Sequence, residues 1–249
     1  MKFNICVAIP IKSSDLKQNE TIIKRTLNEN PDLIELRFDY IDDIKKLTAE
    51  FINKLKNLIH PNIPIIFTMR DISEGGQIEI SEKERLEIIK RLIKTQPEYF
   101  DIEMRSNSSL LKEIINLALN NDTNLIFSSH DFKKTQTYDE AYEIVNSFLN
   151  SLSNELKIDS KYLNEFIYKL IFTAQNLEDN LIPFKLCKSF SKQNKKIICF
   201  CMGELGIYSR VMCVKSGSFL TYGSLEDKTA PGQIHIKNIR ELHKLLFNL

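Results

Sequence analysis

Glycine and proline each occur only seven times in the 249 residues, and no stretch rich in them or in serine interrupts the chain. Without a linker or a low-complexity block, the sequence reads as one domain over 1–249. Charge of one sign is lacking too: 34 basic residues stand against 33 acidic ones, a net charge of +1. That balance implies no nucleic-acid partner. The many lysines alternate with glutamates, as in "SEKERLEIIKRLIK" (81–94), which reads as the solvated face of a helix.

No run approaches the roughly 20 apolar residues of a membrane span, so no membrane partner and a cytoplasmic location are expected. The opening "MKFNICVAIPIK" is cut by Pro10 and closed by Lys12, too short for the apolar core of a secretory signal, and reads as a first strand. Cys6, Cys187, Cys199, Cys201 and Cys213 are odd in number and form no CxxC pair, which suits reduced thiols. Cys199 and Cys201, two apart in an apolar strand, share a face and read as core thiols. There is no HExxH and no His/Cys cluster at ligand spacing, so no metal is expected. "EGG" at 74–76 lacks the strand–GxxxxGK[ST]–helix context of a nucleotide loop.

What the sequence does hold is alternation. Apolar runs at 3–9, 33–38, 63–69, 99–104, 124–129, 166–173, 196–202 and 217–223 read as eight strands. Amphipathic stretches at about 15–29, 44–58, 82–95, 107–121, 138–152, 176–193, 204–213 and 237–248 read as helices between and after them. Eight strand-then-helix units predict an α/β fold, a (β/α)8 TIM barrel. The competing open, doubly wound sheet calls for a glycine-rich turn after the first strand, and "AIPIKSSD" (8–15) has none.

A barrel places its chemistry where strands end. The second run ends "ELRFDY", with Glu35, Arg37 and Asp39 on one face by period 2; the third ends "FTMRDISEGG", with Thr68 and Arg70 together and Glu74 in a loop that Gly75 and Gly76 turn sharply. The fourth puts Asp101 beside Glu103, and the fifth, "FSSHDF", delivers Ser128 and His130. Singly, each has a plainer reading as a surface pair, an acceptor of stray backbone donors or a helix-terminal residue. Four successive strands with ionisable groups at the same end favour a site.

Lys169 lies inside the apolar strand "FIYKLIFT" and shares a face with Ile167 and Ile171. A lysine on an edge strand would snorkel to solvent, but a closed barrel has no edge. Burial lowers a lysine's pKa and raises the fraction that is nucleophilic. A lysine that forms an imine and a histidine that shuttles a proton make a coherent reaction kit.

With these residues in place, the chain resembles the type I 3-dehydroquinate dehydratases, from about residue 3 to 234. The motifs that carry the likeness are Glu35-x-Arg37-x-Asp39, Thr68 and Arg70 followed by Glu74 to Gly76, "SSHDF" around His130, Lys169, "MGELGIYSR" (202–210) and "TAPGQ" (229–233). The resemblance implies a metal-free barrel without organic cofactor, commonly a homodimer, acting on 3-dehydroquinate. It implies that Lys169 forms the imine, that His130 is the general acid/base and that Glu74 orients the histidine. Arg210, Thr229 and Gln233 would hold the substrate carboxylate; Glu35, Arg37 and Arg70 would surround the ring hydroxyls and the iminium; "TAPGQ" would close over substrate. Thr229 stands where serine is frequent, Phe200 where methionine is often found, and Ala8 where some members have serine. Two other readings stay open: a class I aldolase barrel, and a non-catalytic barrel that binds a small acid or a partner protein.

Overall fold

The computed structural model describes residues 3–225 and 229–247. Its strands are β1 (Ile5–Pro10), β2 (Leu33–Arg37), β3 (Ile65–Thr68), β4 (Tyr99–Glu103), β5 (Asn124–His130), β6 (Ile167–Thr173), β7 (Lys196–Met202) and β8 (Thr221–Gly223). The helices are α1 (Leu16–Asn28), α2 (Ala49–Asn57), α3 (Glu82–Lys94), α4 (Ser108–Leu119), α5 (Tyr138–Asn154), α6 (Ser160–Glu165), α7 (Leu181–Lys192), α8 (Ile207–Met212) and α9 (Ile236–Phe247). The strands form one eight-stranded sheet in the order β7-β6-β5-β4-β3-β2-β1-β8, the expected (β/α)8 barrel.

Contacts concentrate in two compact units, one built on Cys6–Leu125 and the other on Ile126–Gly223 with the segment from Ala230 onward. In the first unit β1 pairs with β2, β2 with β3 and β3 with β4, all parallel. Every residue of β1, β2 and β3 is buried, as parallel strands covered on both faces require. Side chains start the helices: Asp15 accepts from the Lys17 amide ahead of α1, Ser81 from Glu84 ahead of α3 and Asn107 from Ser109 ahead of α4. Each such cap contributes about 1 kcal/mol.

In the second unit β5, β6 and β7 are parallel neighbours. Its seam toward β8 is slight: Ile197 bridges Ser218, and the Phe219 amide donates to the Ile197 carbonyl at 2.7 Å. Thr137 and Glu140 close a reciprocal capping box at the start of α5. All five cysteines are free and buried. The Cys187 thiol points at the Cys199 carbonyl at 3.6 Å, and Cys213 sits over the Arg210 carbonyl at 3.5 Å. Burial pushes the Cys199 thiol up and the Cys213 thiol up to about 12, so both stay protonated.

Several boundaries differ from the sequence reading. The expected helix 44–58 splits into a 3-10 turn, Ile44–Lys46, and α2, because Thr48 caps the Phe51 amide and starts a new helix. The eighth strand narrows from 217–223 to Thr221–Gly223, since Gly217 takes φ +107° at the end of a 3-10 turn. Asp39 leaves the strand face for a 3-10 turn, Phe38–Tyr40. Helix α6 lies between the expected helix 138–152 and the expected strand 166–173, with Asp159 as its cap. Position 248, the expected end of the last helix, lies outside the described residues.

Candidate active site

In the first unit the ends of β2, β3 and β4 carry a buried network of opposite charges. Arg37, the last residue of β2, forks onto Asp39, Nε to Oδ1 at 2.7 Å and Nη2 to Oδ2 at 2.8 Å. The bend into the 3-10 turn makes this two-residue reach possible. Thr68, opposite Arg37 in the β2–β3 register, donates its hydroxyl to Glu35 at 2.5 Å. Arg70 is buried and doubly paired, Nη1 to Glu103 at 2.7 Å and Nη2 to Asp101 at 2.8 Å, and its amide donates to Asp39 at 3.4 Å. Burial alone would lower the Arg70 pKa; the surrounding carboxylates outweigh it and hold it well above its ordinary value.

Glu74 sits at the end of a 3-10 turn, Ile72–Glu74, which Asp71 starts by accepting from the Ser73 amide at 2.9 Å. Gly75 follows at φ +86°, and a Cβ on Gly76 would lie 2.2 Å from the Arg70 carbonyl. Only a glycine lets the chain fold back that tightly. The turn leaves Glu74 4% exposed, and burial raises its pKa to about 7, with the Arg70 charge opposing and Glu103 and Asp101 adding to the rise. A carboxyl poised near neutrality is suited to proton handling.

In the second unit Lys169 lies in β6, 4% exposed. It is in register with Ser128 of β5, and His130 with Ile171, so the lysine and the histidine point from the same face of adjacent strands. Lys169 Nζ donates to the Tyr222 hydroxyl at 3.4 Å and lies 4.7 Å from the centre of that ring. The His130 ring stacks on Phe132 with centroids 6.3 Å apart.

Arg210 comes from α8 and is 1% exposed. Its Nη2 donates to the Pro231 carbonyl at 3.0 Å, and its guanidinium lies 4.6 Å over the Phe200 ring. Among the described residues Nε has no hydrogen-bond partner and no carboxylate pairs with this arginine. Burial therefore pushes its pKa down to about 10, still charged at neutral pH. Pro231 is held close because Gly232, at φ +72°, packs on Gly203, whose carbonyl would be 2.3 Å from any Cβ there. Gln233 is buried and Thr229 half-buried.

The residues expected from sequence thus fall into two sets, Glu35, Arg37, Arg70 and Glu74 in the first unit and His130, Lys169, Arg210 and Gln233 in the second. Tyr222 was not foreseen; an aromatic ring with a polar tip, "LTYG", at a strand's carboxyl end was its one signal. Arg85 departs from the solvated face expected for the 81–94 helix: it is 6% exposed and faces the β-strand ends. No described residues form a group of three or more that could hold a metal ion, and no described helix is long and apolar enough to cross a membrane.

The fold is a (β/α)8 barrel with buried ionisable groups at its strand ends, and the proteins it matches make it an enzyme of the hydro-lyase class. A family model described as type I 3-dehydroquinase matches residues 5–249, and the chain belongs to that family. A 3-dehydroquinate dehydratase of Methanococcus maripaludis (strain C7) is 33% identical over 244 residues, 98% of this chain and 95% of the relative. That of Methanobrevibacter smithii is 32% identical over 250 residues, covering 98% and 96%. Among solved structures, the type I 3-dehydroquinate dehydratase of Clostridium difficile, determined with covalent modified comenic acid, superposes with TM-score 0.81 at 28% identity, covering 99% of this chain and 93% of that one. The 3-dehydroquinate dehydratase of Geobacillus kaustophilus superposes with TM-score 0.80 at 24% identity, covering 100% and 92%, a likeness of fold.

Proposed function

We propose that the chain dehydrates 3-dehydroquinate to 3-dehydroshikimate through an imine on Lys169. The lysine amine adds to the ketone, water leaves, and the resulting iminium draws electrons from the neighbouring carbon. His130 takes a proton from that carbon. The enamine then expels the β-hydroxyl, which leaves as water with the proton that His130 returns. Hydrolysis of the conjugated iminium frees the enone and restores the lysine. Glu74, with its pKa near neutrality, orients and charges the histidine.

The observation that carries this reading is Arg210: a buried guanidinium with no carboxylate partner among the described residues is costly to keep. A substrate carboxylate would supply the missing charge, with Thr229 and Gln233 as further donors. Phe200 and Tyr222, with ring centroids 6.2 Å apart, connect this arginine to Lys169 and would wall the space a six-membered ring needs. Glu35, Arg37 and Arg70 would meet the ring hydroxyls. The covalent ligand in the C. difficile relative supports covalent chemistry in the family. We further propose one catalytic domain, a homodimer in the cytoplasm; the free cysteines suit a reducing compartment.

The test is to mix the protein with 3-dehydroquinate, follow the ultraviolet absorbance of the conjugated enone, and trap the imine with borohydride. A reduced adduct mapped to Lys169 is the expected result. Folded protein that produces neither absorbance nor adduct overturns the reading.

A further inference from the structure

We infer that Arg85 of α3 is a positioning residue for the reaction, clamping the turn that presents Arg70 and Glu74. The inference rests on the dehydratase reading for its catalytic consequence, though the clamp itself is geometric.

β3 leaves the sheet after Thr68, so the next carbonyl, that of Met69, has no strand ladder to join. Arg85 takes it over: Nε donates to the Met69 carbonyl at 3.1 Å and Nη2 at 2.7 Å. The same Nη2 donates to Glu103 Oε2, and Nη1 lies 3.8 Å from the Asp71 carboxylate. Glu103 uses its other oxygen for Arg70 Nη1 at 2.7 Å and for the Asp71 amide at 3.1 Å. One guanidinium thus grips the residue before Arg70 and the residue after it, and shares a buried carboxylate with Arg70 itself. Asp71 in turn starts the 3-10 turn that ends at Glu74.

Arg85 is fixed on its own side by α3, where its amide donates to the Ser81 carbonyl at 2.9 Å, the residue that caps the helix. The clamp therefore ties a strand end to a rigid helix rather than to another loop. Lysine in its place would keep the charge but not the fork, since an ammonium is a point donor. Methionine would keep the stem's packing and lose both. Without Arg85, Glu103 is left with Arg70 and the Asp71 amide alone, and the turn between Met69 and Gly76 is free to shift. A misplacement of about 1 Å at reacting groups costs about 100-fold in rate.

The experiment compares wild type, Arg85→Lys and Arg85→Met in the full-length protein. Amide hydrogen exchange reads the 69–76 segment against the β5–β7 strands, and kcat and KM are taken per borohydride-trapped site, so that unfolded protein does not count. A clamp predicts selectively faster exchange in 69–76 for Arg85→Met, with kcat per site lowered about 100-fold at little-changed KM, and Arg85→Lys intermediate in both. Unchanged exchange in 69–76, or an unchanged kcat per site in a folded variant, overturns the proposal. If wild type forms no enone, the functional reading falls, while the exchange comparison still decides whether Arg85 holds the turn.

Discussion

Lys169 stands opposite Ser128 in the register of β5 and β6, which sets His130 one side-chain step further along the same face of the neighbouring strand. Successive side chains on one face of a strand are roughly 7 Å apart, so under the proposed mechanism a small ketone held by the lysine would present its neighbouring carbon toward the histidine. Replacing Lys169 with Met should lower kcat by about 10⁴-fold or more and abolish the borohydride adduct. Turnover by the variant at a tenth of the wild-type rate would contradict the imine.

Arg210 offers a prediction with two opposite signs. Arg210→Met removes a buried charge that lacks a carboxylate partner among the described residues, so the free protein should melt no lower than wild type. Recognition should suffer: kcat/KM falls about 100-fold, the worth of a charged hydrogen-bond pair. Calorimetry with and without a cyclic carboxylate checks both, since only wild type should gain melting temperature from the ligand.

Arg70 should behave in the contrary way. Its loss as Arg70→Met takes from buried Asp101 the arginine it pairs with and leaves Glu103 to Arg85 and the Asp71 amide, at a cost of about 3 to 5 kcal/mol in stability. Urea midpoints provide the measurement. A shift worth less than about 1 kcal/mol would mean that the network is not held by this arginine.

Glu74 makes stability depend on pH in a defined direction. Its folded pKa, about 7, lies above the ordinary 4.5, so the folded state binds the extra proton and is favoured below pH 4.5; that advantage is lost as pH rises through 7. Above that point the ionised carboxylate costs about 3 kcal/mol. Glu74→Gln should therefore match wild type in urea at low pH and exceed it at pH values well above 7, while lowering activity. Equal midpoints at both pH values would remove Glu74 as the buried titrating group.

Much of this arrangement could be read before any coordinates, for a physical reason: an ionisable residue interrupting an apolar strand stands out against period 2. Lys169, Glu35, Arg37 and Arg70 announced themselves that way, as did the barrel itself through eight alternations. Arg85 did not, because charges are ordinary on helices and three of its neighbours in "EKER" are truly solvent-exposed. Only the turn of α3 that faces the strand ends distinguishes it. The pairing of Arg37 with Asp39 was legible as composition but not as geometry, since it depends on the strand giving way to a 3-10 turn at Phe38. Tyr222 was hidden in a strand of three residues, too short to show a period.

The thiols packed behind β7 make the chain its own opening gauge. Cys187 of α7 and Cys199 of β7 face each other across the layer between helix and strand, fully shielded, and burial pushes the Cys199 thiol up. A thiol reagent reaches them only when α7 lifts from the sheet. The pace of their labelling under native conditions therefore reports how often that layer parts, residue by residue, with no probe added to the protein.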